Sequence, residues 1–211
     1  MVCLLIILFI TGFLHAEWYY TEIADLNATP ERAVFYENKI FVGTDNGEIY
    51  KISPSSQNPV FTKVAEVGSS VNSLKAETEI YAGAGSLYKI STNGDVVVLS
   101  TSTADITSAL KDGAYIYFSD EYGSLWQLDE EKDEKQKIGE TVLKISAIEK
   151  YENSIFAGSN DKVLWRFYET DEGWAKEKIY EYAKITFLKK SAFTGEEKLY
   201  VGYSDSKIVS V

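Results

Sequence analysis

The sequence predicts an all-β protein, a five-bladed β-propeller with about 40 residues per blade. Three observations predict it. One hairpin-like stretch, residues 39–53 (KIFVGTDNGEIYKIS), is echoed at 79–91, 115–129, 154–169 and 198–211. The residues that mark the second arm of each copy, Tyr50, Tyr88, Trp126, Trp165 and Val209, are spaced by 38, 38, 39 and 44 positions. After position 16 no window keeps apolar residues at i, i+3, i+4 and i+7 for ten residues, so helices are not expected.

Each repeat holds four short segments. An apolar–polar inner strand comes first, at 32–36, 71–74, 106–110, 145–148 and 185–188. The two arms of the hairpin follow, joined by a polar turn; in the first repeat this turn is Thr44-Asp45-Asn46-Gly47, and Asn and Gly both tolerate positive φ. A fourth, more polar strand completes the unit at 60–67, 96–101, 135–141 and 174–182. Turn formers such as Ser53-Pro54-Ser55 and Asn93-Gly94 separate the pieces.

The fifth repeat runs out after its third strand. Residues 17–26 (EWYYTEIADL) resemble the other fourth strands, notably 59–67 and 173–182. The N-terminal strand is therefore expected to close the last blade and remove a raw sheet edge.

Length and composition suit one domain over residues 17–211, in a chain of 211 residues with 45% hydrophobic content. The formal charge of −11 argues against nucleic acid, which needs a basic face. A short lysine patch at 184–190 reads as a solvated strand or loop. Residues 1–16 are apolar for about 13 consecutive positions, too short for a comfortable bilayer span. They match the apolar region of a secretory signal peptide ending at Ala16, although no Lys or Arg precedes the run. An uncleaved membrane anchor and a buried strand are the alternatives. Cys3 stands before the apolar run, the wrong place for a lipoprotein cysteine. Removal of 1–16 takes away the one Cys and the one His, Cys3 and His15. The expected location is extracytoplasmic, and the mature chain cannot use disulfides.

The phrase from Phe41 to Tyr50, FVGTDNGEIY, is similar to the repeat of bacterial quinoprotein-type β-propellers and of the sensor propellers of two-component regulators. The resemblance covers residues 17–211 and implies the propeller fold. The Trp-Asp signature of WD40 repeats, the tryptophan-docking signature of quinoprotein dehydrogenases and their paired cysteines are all missing, so the resemblance does not carry pyrroloquinoline quinone with it. No cofactor and no metal is expected.

Gly43, Gly83, Gly158 and Gly202, with Ser119 in the remaining copy, recur in the second strand. A small residue there lets neighbouring blades pack closely. Tyr50, Tyr88, Trp126 and Trp165 read as inter-blade core. Asn72, Ser73, Thr107, Ser108, Ser146 and Thr186 sit on inner strands and are expected to face or flank a water-filled channel.

Propeller geometry gathers the turns between second and third strands on one rim. The candidate partner-binding residues there are Asp45, Asn46, Asp120, Tyr122, Asn160, Asp161, Tyr203 and Asp205. Asp, Asn and Ser also simply make turns, whereas Tyr122 and Tyr203 are aromatics that a turn does not require. The rim reads as acidic and hydroxyl-rich. A catalytic triad lacks its base once His15 is gone. Glu31 and Asp105 near the channel mouth are the only candidate glycosidase carboxylates, and neither sits in a motif. The leading expectation is a non-catalytic monomeric scaffold that binds a protein through its loop rim. A lectin-like glycan binder is the alternative, and a glycoside-active enzyme the third reading. Unequal loops, Ala84-Gly85 against Asp120-Glu121-Tyr122, favour one asymmetric partner over repeated sugar sites.

If the chain closes its own ring, deleting residues 18–25 lowers the melting temperature sharply; an unchanged thermal melt refutes the closure.

Overall fold

The computed structural model describes residues 28–53, 61–191 and 196–211. It is a five-bladed β-propeller. Blade 1 is β1 (Pro30–Tyr36), β2 (Lys39–Thr44), β3 (Glu48–Ile52) and β4 (Phe61–Glu66). Blade 2 is β5 (Ser73–Ala76), β6 (Ile80–Gly83), β7 (Ser86–Ile90) and β8 (Val96–Thr101). Blade 3 is β9 (Ile106–Asp112), β10 (Tyr115–Asp120), β11 (Ser124–Asp129) and β12 (Glu134–Glu140). Blade 4 is β13 (Ile145–Tyr151), β14 (Ser154–Ser159), β15 (Val163–Thr170) and β16 (Gly173–Glu181). Among the described residues blade 5 has three strands, β17 (Ile185–Ser191), β18 (Lys198–Tyr203) and β19 (Ile208–Ser210). The expected closing strand at 17–26 and the leader at 1–16 lie outside the described residues.

Every sheet is an antiparallel meander with strands in chain order. First strands are innermost: β1 lies beside β5, β5 beside β9, β9 beside β13 and β13 beside β17. The apolar core lies between blades. Four clusters fill the four consecutive junctions: Phe41 and Ile49 with Val71 and Leu74, Tyr81 and Leu87 with Ile106 and Phe118, Leu110 and Leu125 with Ile145 and Ile148, and Phe156 and Leu164 with Ile185 and Leu188. Full burial of each such side chain is worth about 1.5–3 kcal/mol.

The recurring small residues explain how closely the blades approach. A Cβ added to Gly43 would stand 2.5 Å from Val71 Cγ1, and one added to Gly83 would stand 2.6 Å from Ile106 Cγ2, each on the next blade. Gly158 meets Ile185 of blade 5 in the same way. Gly202 differs: its space is filled by Phe187 of its own blade. In blade 3, where the copy carries Ser119, the side chain is fully buried and its Oγ lies 2.9 Å from Thr107 Oγ1.

Two sets of bulges shape the blades, and blades 1, 3 and 4 carry both. On the inner strands the unpaired extra residue is Glu31, Thr107, Ser146 or Thr186. On the outer strands it is Val64, Leu99, Ile138 or Ile179, always aliphatic. The first three of these aliphatics pack against the core clusters, so the bulge adds an apolar side chain to the wedge.

The turn heads differ from the expected Asn-Gly geometry. Only Gly47 of that pair has a positive φ, +86°. Gly123, Lys162 and Ser206 hold the same place in blades 3, 4 and 5, with φ of +85°, +71° and +66°. Each donates its N–H three residues back, Gly47 to Thr44 O and Lys162 to Ser159 O.

The second-arm aromatics are half-buried rather than buried. Three of their polar tips find partners: Trp126 Nε1 donates to Asp120 Oδ2 at 3.1 Å, Tyr50 to Glu48 at 2.7 Å and Tyr88 to Val67 O at 3.1 Å, whereas Trp165 Nε1 is buried without one among the described residues. Lysines cover the exposed faces, Lys135 over Trp126 at 5.1 Å and Lys176 over Trp165 at 4.9 Å. The fully buried aromatics are instead Phe41, Tyr81, Phe118 and Phe167. On β8 the three residues Val96, Val97 and Val98 are 39%, 49% and 53% exposed, because nothing packs outside the outermost strand.

Gly83→Val forces Ile106 to move and costs about 1–3 kcal/mol. Chemical denaturation reads the loss as a lower midpoint, and Ile106→Ala in the same chain recovers part of it if the clash is the cause.

Candidate functional site

The turns between second and third strands gather on the rim where the inner strands begin. A repeated hydrogen bond fixes them. The backbone N–H of Asp45, Glu121, Asn160 and Ser204 donates to the carbonyl of Thr29, Asp105, Lys144 and Lys184, all at 2.9 Å. In blade 2 the N–H of Gly85 finds the Ser69 hydroxyl at 2.7 Å. Each turn is thereby tied to the segment that enters its own inner strand.

Most of the predicted rim residues serve their own turns. Asp120 is buried, and its carboxylate accepts from Tyr122 N at 3.0 Å, Ser124 N at 2.9 Å and Trp126 Nε1 at 3.1 Å. Asn46 Oδ1 accepts from Thr44 Oγ1 at 2.6 Å, and its amide donates to Glu48 at 3.0 Å. Asp161 accepts from the Ser159 hydroxyl and from Val163 N at 3.2 Å. Asp45 is exposed and caps the Thr29 N–H at 3.0 Å; Asp205 is exposed and accepts from Lys207 N at 3.3 Å.

The two tyrosines part company. Tyr122 stands in its turn, 70% exposed. Tyr203 lies in β18 and not in a loop, and it is buried at 4%. Its ring meets Tyr182 edge-on at 5.4 Å and Tyr180 at 6.4 Å, and its hydroxyl has no partner among the described residues. Burial, then the neighbouring Tyr180 and Asp205, push the Tyr203 phenol up. The hydrogen bond from Tyr182 to Asp205 pushes Tyr182 up as well.

Apolar residues absent from the sequence prediction complete the rim. Val142 is 80% exposed and Leu143 48%, and both follow β12 beside the Tyr122 turn, where Thr141 N donates to Gly123 O at 2.9 Å. Tyr180 and Tyr182 are half-exposed at the end of blade 4. An apolar arc thus runs over blades 3 to 5, outside the channel. The signal in the sequence was the pair Val142-Leu143, standing where the connections into blades 2 and 3 carry Gly68-Ser69-Ser70 and Ser102-Thr103.

The channel mouth lies inside that arc. A cavity of about 270 Å³ opens there, lined by Arg32, Asn72, Thr107, Lys144, Ser146, Asn160, Lys184, Ile185 and Thr186, from all five blades. Four of the expected channel residues, Asn72, Thr107, Ser146 and Thr186, are among them. The hydroxyls also lace blade to blade, Thr107 Oγ1 to Ile145 O at 2.7 Å and Ser146 Oγ to Ile185 O. Ser73 and Ser108 are buried instead; they accept from Ala109 N at 2.9 Å and Ile148 N at 3.3 Å on the next inner strand. The lysine patch at 184–190 runs through most of the inner strand β17, and Lys184, just before that strand, lines the mouth. So the rim is acidic only at its periphery.

A second cleft opens on the opposite rim, between blades 3 and 4. It has a volume of about 560 Å³ and is lined by Tyr115, Tyr117 and Trp174 with Gln127, Asn153 and Glu169. Tyr117 and Trp174 meet edge-on at 6.3 Å, and Gln127 donates to the Tyr117 hydroxyl at 3.1 Å. Among the described residues no group of His, Cys, Asp and Glu is placed to hold a metal ion, and no helix is long and apolar enough to cross a membrane.

No protein-family model matches the chain, and no curated protein matches it in sequence. Solved structures match the fold. The extracellular domain of a protein assigned as a one-component system in B. thetaiotaomicron superposes with a TM-score of 0.72 at 16% identity, over 91% of this chain and 28% of that one. The computationally designed Ika8 protein gives 0.65 at 11% identity, over 84% of this chain and 56% of the designed one. A chain of the mitotic checkpoint complex gives 0.68 at 12% identity, over 86% and 63%. The chain therefore spans only part of each of these proteins, and at such identities the likeness is one of fold.

Asp120→Ala strands three donors around a buried site and costs about 2–3 kcal/mol. Asp205→Ala, on the surface, stays within about 0.5 kcal/mol in the same denaturation series.

Proposed function

We propose that the protein is an exported, non-catalytic, monomeric binding scaffold, and that it holds a segment of another protein on the rim over blades 3 to 5. One observation carries the reading: Tyr122, Val142 and Leu143 stand side by side and exposed on turns that the backbone hydrogen bonds hold rigid. Exposed apolar groups in one patch, ringed by polar side chains, are what a docking surface needs. Tyr is suited to the role because it gives a large contact area for little entropy. Carboxylates at Asp105, Glu121 and Asp161 border the patch, so the segment it suits is apolar with basic flanks. The likeness in fold to the extracellular domain of a one-component system agrees with export and with a recognition role.

A second reading belongs to the opposite rim. The cleft of Tyr115, Tyr117 and Trp174, bordered by Gln127, Asn153 and Glu169, has the aromatic walls and polar edges that suit a sugar. Glycan binding there would not involve Tyr122.

Selection of a displayed random-peptide library on the protein tests the first reading. Peptides with an aromatic or aliphatic centre and basic flanks are expected, and their affinity should fall at least tenfold (about 1.4 kcal/mol) with Tyr122→Ser plus Val142→Ser. Peptides that ignore these changes, or glycan-array binding lost with Trp174→Ala instead, would overturn it.

A further inference from the structure

We propose that the channel mouth is a binding site for a small oxyanion ligand, carrying two or more carboxylate or phosphate charges. The ligand would sit among Arg32, Lys144 and Lys184 over the ring of Asn72, Thr107, Ser146 and Thr186. This goes beyond the docking of a protein on the outer arc and does not depend on it.

The charge distribution carries the argument. The chain has a formal charge of −11, yet the cavity at the end of its axis is lined by three cations and no carboxylate. Arg32 comes from blade 1, Lys144 from the connection into blade 4, and Lys184 from the connection into blade 5. Two lysines on other inner strands do end in ion pairs, Lys111 with Glu130 at 2.7 Å and Lys150 with Asp112. Lys144 and Lys184 are exposed at the mouth, and no carboxylate lies within ion-pair distance of either among the described residues. Arg32 donates Nε to Asn72 O at 2.7 Å and one terminal nitrogen to Glu31 O at 2.6 Å, which fixes its plane. The Glu31 carboxylate is 3.9 Å away, a loose contact that leaves the guanidinium charge largely unmatched.

Charge continues down the axis. Lys75 on β5 and Glu149 on β13 belong to non-adjacent blades, so they feel one another only across the channel; Lys189 on β17 acts on Lys75 as well. Glu149 is 9% exposed. Burial, opposed by Glu149 and aided by Lys189, pulls the Lys75 ammonium below its ordinary value. Arg32, Lys144 and Lys184 thus line the mouth with Glu31 at its edge, and Lys75, Lys189 and Glu149 interact further in. A focused positive field inside an acidic body attracts an anion that the outer surface repels.

The size of the site selects the ligand. A cavity of about 270 Å³ has room for about nine waters at ~30 Å³ each, hence a molecule on the order of ten heavy atoms. No helix or strand of a partner fits inside it. The Asn160 side-chain oxygen, buried at the edge without a partner among the described residues, provides a seat for a ligand hydroxyl.

Titration calorimetry with citrate, inorganic phosphate and acetate tests the proposal on the full chain, with amide chemical shifts recorded in parallel. Saturable binding is expected, tighter for citrate and phosphate than for acetate, with the largest shifts at Thr107, Ser146, Asn160 and Thr186. The order of citrate against phosphate tells a carboxylate ligand from a phosphate one. Lys144→Gln with Lys184→Gln, both exposed and without a structural hydrogen bond through their ammonium groups, should weaken binding at least tenfold with an unchanged melting temperature. Lys137→Gln with Lys178→Gln, on outer strands, should leave it intact. Non-saturable heats, shifts spread over the outer strands, or equal affinity in the two double variants would overturn the site.

Discussion

A β-branched side chain at the start of one inner strand presses on a bare backbone in the blade before it. Val71 lies on Gly43, Ile106 on Gly83 and Ile185 on Gly158. The rest of the architecture follows from this contact. Sheets normally stack about 10 Å apart, but near the axis of a propeller they must come much closer. Removing a side chain on one sheet and placing a rigid branched one on the other achieves that without a void. The contact also sets the inner strands side by side, which brings the hydroxyls of Thr107 and Ser146 within reach of carbonyls on the next blade. Apolar interlock and polar lacing therefore act at the same level of the ring, and both hold the channel mouth in place.

Where the interlock is satisfied differently, the surroundings change. In blade 5 Phe187 occupies the space over Gly202 from within the same sheet. Next to it Tyr203 is driven inward against Tyr180 and Tyr182, with its hydroxyl unpaired among the described residues. A buried hydroxyl without a partner costs about 1–3 kcal/mol. The blade that carries the described C-terminal strand is thus the least regular part of the ring, as its exposed Phe187 and Ile208 also show.

Repetition made the fold legible. The spacing of Tyr50, Tyr88, Trp126, Trp165 and Val209 located all five blades, and the recurring glycines announced the close packing between them. The register was legible too, since β8 covers the very residues 96–101 that the alternation marked. The burial of particular side chains was less so. A half-buried Tyr50 and a buried Phe41 look alike in the sequence, because a strand between two others places aromatics on both faces and the distance from the axis decides which face closes. The site was harder still. Asp120 and Tyr122 are neighbours of similar polarity in one turn, yet the carboxylate points back to three donors and the ring points out. Arg32, Lys144 and Lys184 are more than a hundred residues apart along the chain at the extremes, and only the closed ring brings them to one opening. Charge counted over the whole sequence hides such a local reversal.

The outer strands face water with unequal protection. β4 carries Lys63 and Glu66, β12 holds Glu134, Lys135, Lys137 and Glu140, and β16 holds Lys176, Glu177, Lys178 and Glu181. β8, VVVLST, carries no charge at all, and its three valines are open to solvent. Charged or proline-bearing borders keep sheets from adding foreign strands; an uncharged, β-branched border invites them. Crowding would then find its foothold at blade 2: concentrated solutions of this protein should begin to self-associate side by side along Val96–Val98, long before any blade unfolds.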